Sequence, residues 1–337
     1  MLEPLVSIKM ITYNHAPYIA QAIEGVLMQK TNFPIELVIG EDCSTDGTRE
    51  IVFDYQKKFP EIIRVITSDQ NVGAKKNSYR TTKACRGKYI AFCEGDDYWH
   101  HPKKLQKQVD YMESHPECGL VYSSFDVYNN KSKEKVRDYL KNGGWEIPKN
   151  PSISDFVSLR ERAWVGSATC TVMVRKNLLE QIIESDPYLH QNDQFLMGDT
   201  QLWAELSAIS EVSYIPESLA TYRILPESAS RSKDLKKSLR FWKSACEMRL
   251  YLCDKYKLSE IIRNKVESFW CDCSLRLAFI ERNGKLAFEV KKKKQKFTWK
   301  EWLRYLGAKY LVVNYICRMA AFSRDSFRNL LLAKRND

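Results

Sequence analysis

The sequence predicts an α/β protein: a mostly parallel sheet flanked by helices, followed by a C-terminal helical extension. Three observations carry this. Strand-like and helix-like runs alternate four times within about the first 115 residues, the pattern of parallel strands joined by crossover helices. The loops that follow those strands are polar and rich in residues with special backbone preferences. From Arg231 to about Arg282 the periodicity is that of two helices, with no strand signal between them.

Val6 to Thr12 (VSIKMIT) reads as the first strand. Tyr18 to Gln29 reads as a helix with Ile19, Ile23, Val26 and Leu27 on one face, reached through Tyr13-Asn14-His15-Ala16-Pro17. Ile35 to Gly40 is the second strand. The segment EDCSTDGT (Glu41 to Thr48) follows it, rich in residues that cap helix N-termini, and a helix then runs to about Lys58. Ile62 to Thr67 is the third strand, and Asn71-Val72-Gly73 turns the chain into a helix starting near Lys75. Tyr89 to Cys93 is the fourth strand and Pro102 to Ser114 a helix. Gly119 to Tyr128 is a further strand, and the polar residues 129–135 read as a hairpin tip or an exposed excursion. By β-branched content Ser167 to Arg175 is a strand. Asn177 to Ser185 is helical, Gly198 to Trp203 opens another helix, and Val212 to Ile224 holds a short strand pair.

In parallel sheets the ligand lies beyond the carboxyl ends of the strands. Four polar loops fall there: Tyr13-Asn14-His15, Glu41-Asp42-Cys43-Ser44, Asn71-Val72-Gly73 and Glu94-Gly95-Asp96-Asp97. The last puts three carboxylates within four residues at the end of an apolar strand. Adjacent carboxylates repel and are costly to desolvate. The stretch reads either as a solvated Gly-Asp-Asp turn or as a site for a hard divalent ion bridging to phosphate, and the residues alone leave both open.

Composition narrows the class. With 337 residues, 44% hydrophobic and 12% aromatic, the chain is globular and long enough for one large domain plus an appendage. The net charge of +11 is localised. From Lys291 onward there are 13 Lys/Arg against 3 Asp/Glu, a net of +10, which leaves the first 290 residues, with 40 against 39, at +1. This argues against a nucleic-acid-binding body and points to a local anionic partner for the basic tail. The ten cysteines contain no CxxC pair, which argues for reduced, buried thiols and against a zinc site. Met1-Leu2-Glu3-Pro4 leads straight into a strand without a basic or apolar leader, so no secretory signal is expected.

Taken in order, TYN, EDCSTDGT, NVGAKKN, CEGDDYW and GDTQLW resemble the landmarks of family 2 glycosyltransferases over roughly residues 5 to 225. The resemblance implies a GT-A type nucleotide-binding sheet and inverting sugar transfer from a nucleotide-sugar, with a UDP-sugar expected, assisted by Mn2+ or Mg2+. Carried over position by position, Tyr13 stacks on the nucleobase and Asp42 accepts from a base N–H. Gly73 allows a sharp turn near the donor, and Asn77, with Lys75 and Lys76, opens a helix that favours phosphate or ribose. Glu94 stands where the family has Asp and would reach the ribose or a metal-bound water. Asp96 and Asp97 would bind the metal. Asp199 occupies the place of the catalytic base, with Gly198 where an acid is usual. From chemistry alone His100, His101 and His190 are candidates for a third metal ligand, and Trp203 either stacks an acceptor sugar or is core.

The domains expected are a glycosyltransferase domain at 1–228, divided near 118/119 into donor and acceptor halves, and a helical extension at 229–337. Trp299, Leu303, Leu306, Tyr310, Val313, Cys317 and Ala320 recur at spacings of four and three, one helical face beside the lysine run Lys291–Lys294. That suits a helix lying on an anionic membrane through residues 291–337, at the inner face of the cell membrane, or equally a helix packed on the body or on a partner. The acceptor expected is a glycan or lipid-linked oligosaccharide in surface polysaccharide synthesis. Two other readings stand beside this one. A non-catalytic nucleotide-sugar-binding protein at the membrane would explain Glu94 and Gly198. A sugar-1-phosphate nucleotidyltransferase would need a Gly-rich phosphate loop after the first strand, where TYNHAP stands instead.

Overall fold

The computed structural model describes residues 3–159, 168–191, 193–226, 232, 234–317 and 319. The chain divides into two compact units, 1–226 and 227–337.

The first unit is built on a sheet of nine strands among the described residues: β1 Val6–Thr12, β2 Ile35–Glu41, β3 Ile63–Ile66, β4 Tyr89–Phe92, β5 Tyr98–Trp99, β6 Cys118–Asn129, β7 Lys135–Val136, β8 Met173–Arg175 and β9 Glu211–Ile224. Their order is β3-β2-β1-β4-β8-β6-β9-β5, with β7 beside β6. The first four strands are parallel, as the alternation requires, and β6 and β9 are also parallel, whereas β8 runs antiparallel to both β4 and β6. Val6, Ile8, Met10, Leu37, Ile39, Tyr89 and Ala91 are fully buried. The alternate positions Ser7, Lys9, Val38 and Ile90 are buried too, so the sheet is covered on both faces.

Helices α1 Ile19–Leu27, α2 Thr48–Lys58, α3 Ala74–Ala84 and α4 Lys104–Ser114 make the crossovers. The short α5 Tyr139–Asn142 and α6 Ile153–Val157 follow, then α7 Lys176–Ser185, α8 Pro187–His190 and α9 Thr200–Ile209. Phe92 of β4 meets Trp203 of α9 edge-on, with ring centroids 5.1 Å apart. Trp203 is fully buried, so it belongs to the core and not to an acceptor platform.

Two expectations are corrected. The strand read from Ser167 begins only at Met173, because Thr169–Thr171 is a 3-10 turn. The hydroxyl of Thr171 donates to the Ala168 carbonyl, and the indole N–H of Trp99 donates to the Cys170 carbonyl at 2.7 Å, which holds the segment out of the ladder. Ser167 itself lies outside the described residues. The strand pair read over 212–224 is one strand, β9. Its two parts follow one another along the 12-residue β6, with a register irregularity around Pro216, where a missing N–H does no harm.

The second unit comprises α10 Leu235–Lys255, α11 Glu260–Glu281, α12 Gly284–Lys293 and α13 Trp299–Lys309. The continuous helical face expected from Trp299 onward is broken at Tyr310, and residues 311–317 form a separate helical segment. Asn314 ties that segment back by donating to the carbonyls of Phe279 and Gly307. Ala320, and the rest of the tail to 337, lie outside the described residues. Among the described residues no helix is long and apolar enough to cross a membrane.

Candidate active site

Parallel pairing of β1, β2 and β4 brings the loops after Thr12, Glu41 and Phe92 to one edge of the sheet. There they are stitched together by side chains. Asn14 sits in the left-handed region at φ 56°, which Asn tolerates better than most residues. Its carboxamide oxygen accepts from Thr45 N–H at 2.9 Å, and its own N–H donates to Ser44 Oγ at 3.0 Å. The Asp46 carboxylate takes the Ala16 N–H. The first loop is thus closed onto the second, and Tyr13 is left 45% exposed on its rim.

Glu41 organises the second loop and went unremarked in the sequence as a functional residue. Its buried carboxylate accepts from Ser44 N–H at 2.6 Å, Cys43 N–H at 3.2 Å and Thr67 Oγ1 at 2.9 Å. Asp42 is 2% exposed. Its two oxygens accept from Val72 N–H at 2.9 Å and Gly73 N–H at 3.0 Å, so it pins the NVG turn. Gly73 has φ 87° and ψ 155°, a conformation essentially restricted to glycine.

Asn77 does not face the crevice. It is buried, donates to the Gly40 carbonyl at 2.8 Å and accepts from Arg80 Nε at 2.9 Å. The expectation that Asn77 contacts phosphate or ribose is therefore corrected: it fastens α3 to β2. Lys75 lies over the Phe195 ring at 5.7 Å, and Lys76 approaches Asp193 at 3.9 Å. Helix α3 thus faces the loop that precedes Asp199.

In the acidic stretch the three carboxylates have different surroundings. Asp97 is 3% exposed, and its Oδ1 accepts from Arg223 N–H at 2.7 Å. Burial, then Asp96 and Glu94, push its carboxyl well above the usual range. Bound in this way to β9, Asp97 is a support of the loop, which revises the expectation of it as a metal ligand. Burial first, then the charges of Asp96 and Asp199, raise Glu94 to about 8. One of its oxygens, Oε2, is buried without a hydrogen-bond partner. The Asp96 carboxylate accepts no hydrogen bond from the described residues, and its carbonyl accepts from Arg223 Nε.

Asp199 caps α9. Its Oδ1 accepts from Thr200 N–H at 2.6 Å, and its Oδ2 accepts from Thr169 Oγ1 at 3.1 Å. The next residue in that 3-10 turn, Cys170, contacts Asp97 through its thiol. One turn therefore touches both Asp199 and the acidic stretch, and Asp199 is close enough to Glu94 to act on its proton affinity. Thr169 and Arg223 carry no local signal in the sequence, because their partners are 30 to 127 positions away, whereas Glu41 binds Cys43 and Ser44 within its own loop.

A divalent ion fits this set. Hard carboxylate oxygens suit Mn2+ or Mg2+, and a partnerless buried oxygen on Glu94 is the kind of group a cation satisfies. Among the described residues no three His, Cys, Asp or Glu side chains converge so as to hold a metal alone. Glu94 and Asp96 would supply part of the coordination, and phosphate oxygens the remainder. The histidines named as third ligands are engaged elsewhere. His100 bonds Thr221 and the Ser218 carbonyl, His101 pairs with Glu217, and His190 bonds the buried Glu205.

Comparison with known proteins identifies the family and the fold. Residues 7–182 match the family model described as Glycosyl transferase family 2. An uncharacterized protein of Mycobacterium bovis is 31% identical over 221 residues, 64% of this chain and 58% of that protein, so the chain spans little more than half the length of this relative. The putative teichuronic acid biosynthesis glycosyltransferase TuaG of Bacillus subtilis is 34% identical over 125 residues, covering 37% of this chain and 48% of TuaG. Among solved structures, S. aureus TarS 1–349 in complex with UDP-GlcNAc superposes with a TM-score of 0.51 at 16% identity, over 90% of this chain and 79% of that one. The mannosyltransferase PcManGT from Pyrobaculum calidifontis, in complex with GDP-Man and Mn2+, superposes with a TM-score of 0.52 at 13% identity, over 94% and 87%. These two likenesses concern the fold, which is of the GT-A type.

Proposed function

The chain belongs to glycosyl transferase family 2, and from that premise we propose that it moves a sugar from a nucleotide-sugar, a UDP-sugar in the first instance, to a hydroxyl of a glycan or lipid-linked oligosaccharide with inversion. The observation that carries this reading is the meeting of Asp199 with the acidic stretch in one crevice, bridged by the turn at Thr169–Cys170. Tyr13 offers an exposed ring to the nucleobase. Asp42 acts by shaping the Val72–Gly73 turn; its Oδ1 also accepts from Arg80 Nη2 at 3.5 Å, and its Oδ2 keeps a lone pair for a base N–H. Glu94 and Asp96 would hold Mn2+ or Mg2+ together with the donor phosphates. When bound, the ion neutralises charge on the leaving nucleoside diphosphate.

Asp199 accepts the proton of the acceptor hydroxyl as that oxygen bonds to the anomeric carbon and the C–O bond to the diphosphate breaks on the opposite face. Its Oδ2 is oriented by Thr169 and its Oδ1 by the N-terminus of α9, so the carboxylate is held at both ends. TuaG supports surface polysaccharide synthesis as the setting; TarS was solved with UDP-GlcNAc and PcManGT with GDP-Man, so the donor panel includes both nucleotides. The test is nucleoside diphosphate release from a panel of nucleotide-sugars with Mn2+. Asp199→Asn is expected to lower turnover by about 10²–10⁴-fold. No release with any donor, or release unchanged by the substitution, overturns the assignment.

An anionic membrane surface at the inner face of the cell membrane completes this reading. Trp299, Tyr310, Leu311, Val312, Tyr315 and Ile316 are all exposed, Val312 at 68%, in the same unit as Lys291–Lys294. Apolar and aromatic side chains beside lysines are the composition of an interfacial segment.

A further inference from the structure

Arg223, next to last in β9, is a buried cation, only 6% exposed. A buried guanidinium must be compensated, and a hydrophobic residue of similar volume would ordinarily serve a core better. Its surroundings are specific. Nε donates to the Asp96 carbonyl at 2.8 Å and Nη2 to Gln21 Oε1 at 2.7 Å. The backbone N–H of the same residue donates to Asp97 Oδ1 at 2.7 Å. The guanidinium lies 4.9, 5.1 and 5.6 Å from the ring centres of Tyr18, Tyr98 and Tyr128. Tyr18 is itself fixed by Asn130, whose carboxamide donates to the phenol oxygen at 3.1 Å.

The choice of partners is informative. Three carboxylates lie on the adjacent loop, yet the positive charge is stabilised by aromatic faces and its donors go to a carbonyl and a carboxamide. The Asp96 carboxylate is thereby left free while its main chain is held. Asp97 is held by its carboxylate. One residue thus grips two consecutive acids at different atoms, which fixes the direction in which the Asp96 side chain projects.

We infer that Arg223 is a positioning residue for the cation–pyrophosphate site: it presents the Asp96 carboxylate by clamping the loop between β9 and α1. This rests on the reading of Asp96 given under Proposed function. A lysine in its place keeps the charge but not the fork that reaches Asp96 and Gln21 together.

The probe is Mn2+ in the presence of UDP, titrated by electron paramagnetic resonance, with thermal unfolding measured alongside. Arg223→Lys is expected to weaken Mn2+ binding by about 10–100-fold, the usual effect of losing a group that orients a ligand. A merely structural role would lower the melting temperature and leave Mn2+ affinity at the wild-type value, and that result overturns the inference. If Arg223→Lys does not fold, Gln21→Leu decides. It removes one anchor of the guanidinium from the outside, and a smaller weakening in the same direction supports the inference, while no change overturns it. Wild-type protein that takes up no Mn2+ with UDP or GDP sinks the reading of Asp96 itself, and with it the inference. Wild type that binds, with Arg223→Lys equal to it, overturns the inference alone.

Discussion

At the scale of single residues, burial sets chemistry more than identity does. Asp96 and Asp97 are neighbours of one type, yet one carboxylate is free and the other is locked to β9. Lys104 shows the same point away from the crevice. It is fully buried, donates to Gln108 Oε1 at 2.6 Å and lies 4.3 Å from the Trp99 ring centre. Burial lowers it to about 7 from the ordinary 10.5, with Cys170 and Cys93 only partly offsetting this. Between those values the unfolded chain holds a proton that the folded chain does not, so stability from this group rises with pH across about 7 to 10.5 and is lost as pH falls through 7. Lys104→Met should therefore stabilise the protein most near pH 6 to 7, by denaturant unfolding, and the gain should shrink toward pH 10. A gain that is constant with pH would contradict a neutral Lys104. Lys9, lowered by burial to about 8, contributes equally to both proteins and cancels in the difference.

At the scale of elements, the strand-to-helix turns hold the site in place. Gly73 initiates α3 with φ 87°, and nothing lies within 4 Å of a Cβ added there, so the demand for glycine is conformational and not steric. Gly73→Ala should cost about 1–3 kcal/mol in unfolding free energy and raise the donor KM, because the turn held by Asp42 must rearrange. An alanine variant with unchanged stability and KM would show that this turn does not shape the donor pocket. Legibility varied by element for a physical reason. The first four strands and their crossover helices follow from local periodicity and turn residues, since each packs against its immediate neighbours in the chain. The 3-10 turn at Thr169–Thr171 could not be read, because it is imposed by Trp99, 71 positions earlier. Nor could the continuity of β9, which depends on the length of β6. In α3 the polar Asn77 looks like a ligand contact in sequence, but is drawn into the fold by the Gly40 carbonyl.

At the scale of the whole molecule, the excess positive charge and most of the exposed large apolar side chains among the described residues fall in the C-terminal unit, while the crevice belongs to the first. The membrane reading predicts that the full chain sediments with anionic phosphatidylglycerol vesicles at low salt and less at high salt. The combined variant Leu311→Asp, Val312→Asp and Ile316→Asp should bind roughly tenfold or more weakly, each lost apolar contact being worth about 1.5–3 kcal/mol when fully buried. Equal binding by variant and wild type would point instead to a protein partner.

What the sequence determined by itself is the alternation of strands and helices, the four loops at one sheet edge, the position of the acidic stretch and Asp199, and the placement of the basic tail. These are properties of local pattern and order along the chain, which hydrophobic periodicity and turn chemistry encode directly. Only the tertiary structure decided which of the acids is free, that Asn77 and Trp203 serve the core, that three candidate histidines are engaged, and that Arg223 and Thr169 support the site. Those outcomes depend on partners tens to more than a hundred residues away, and on burial, which no local pattern records.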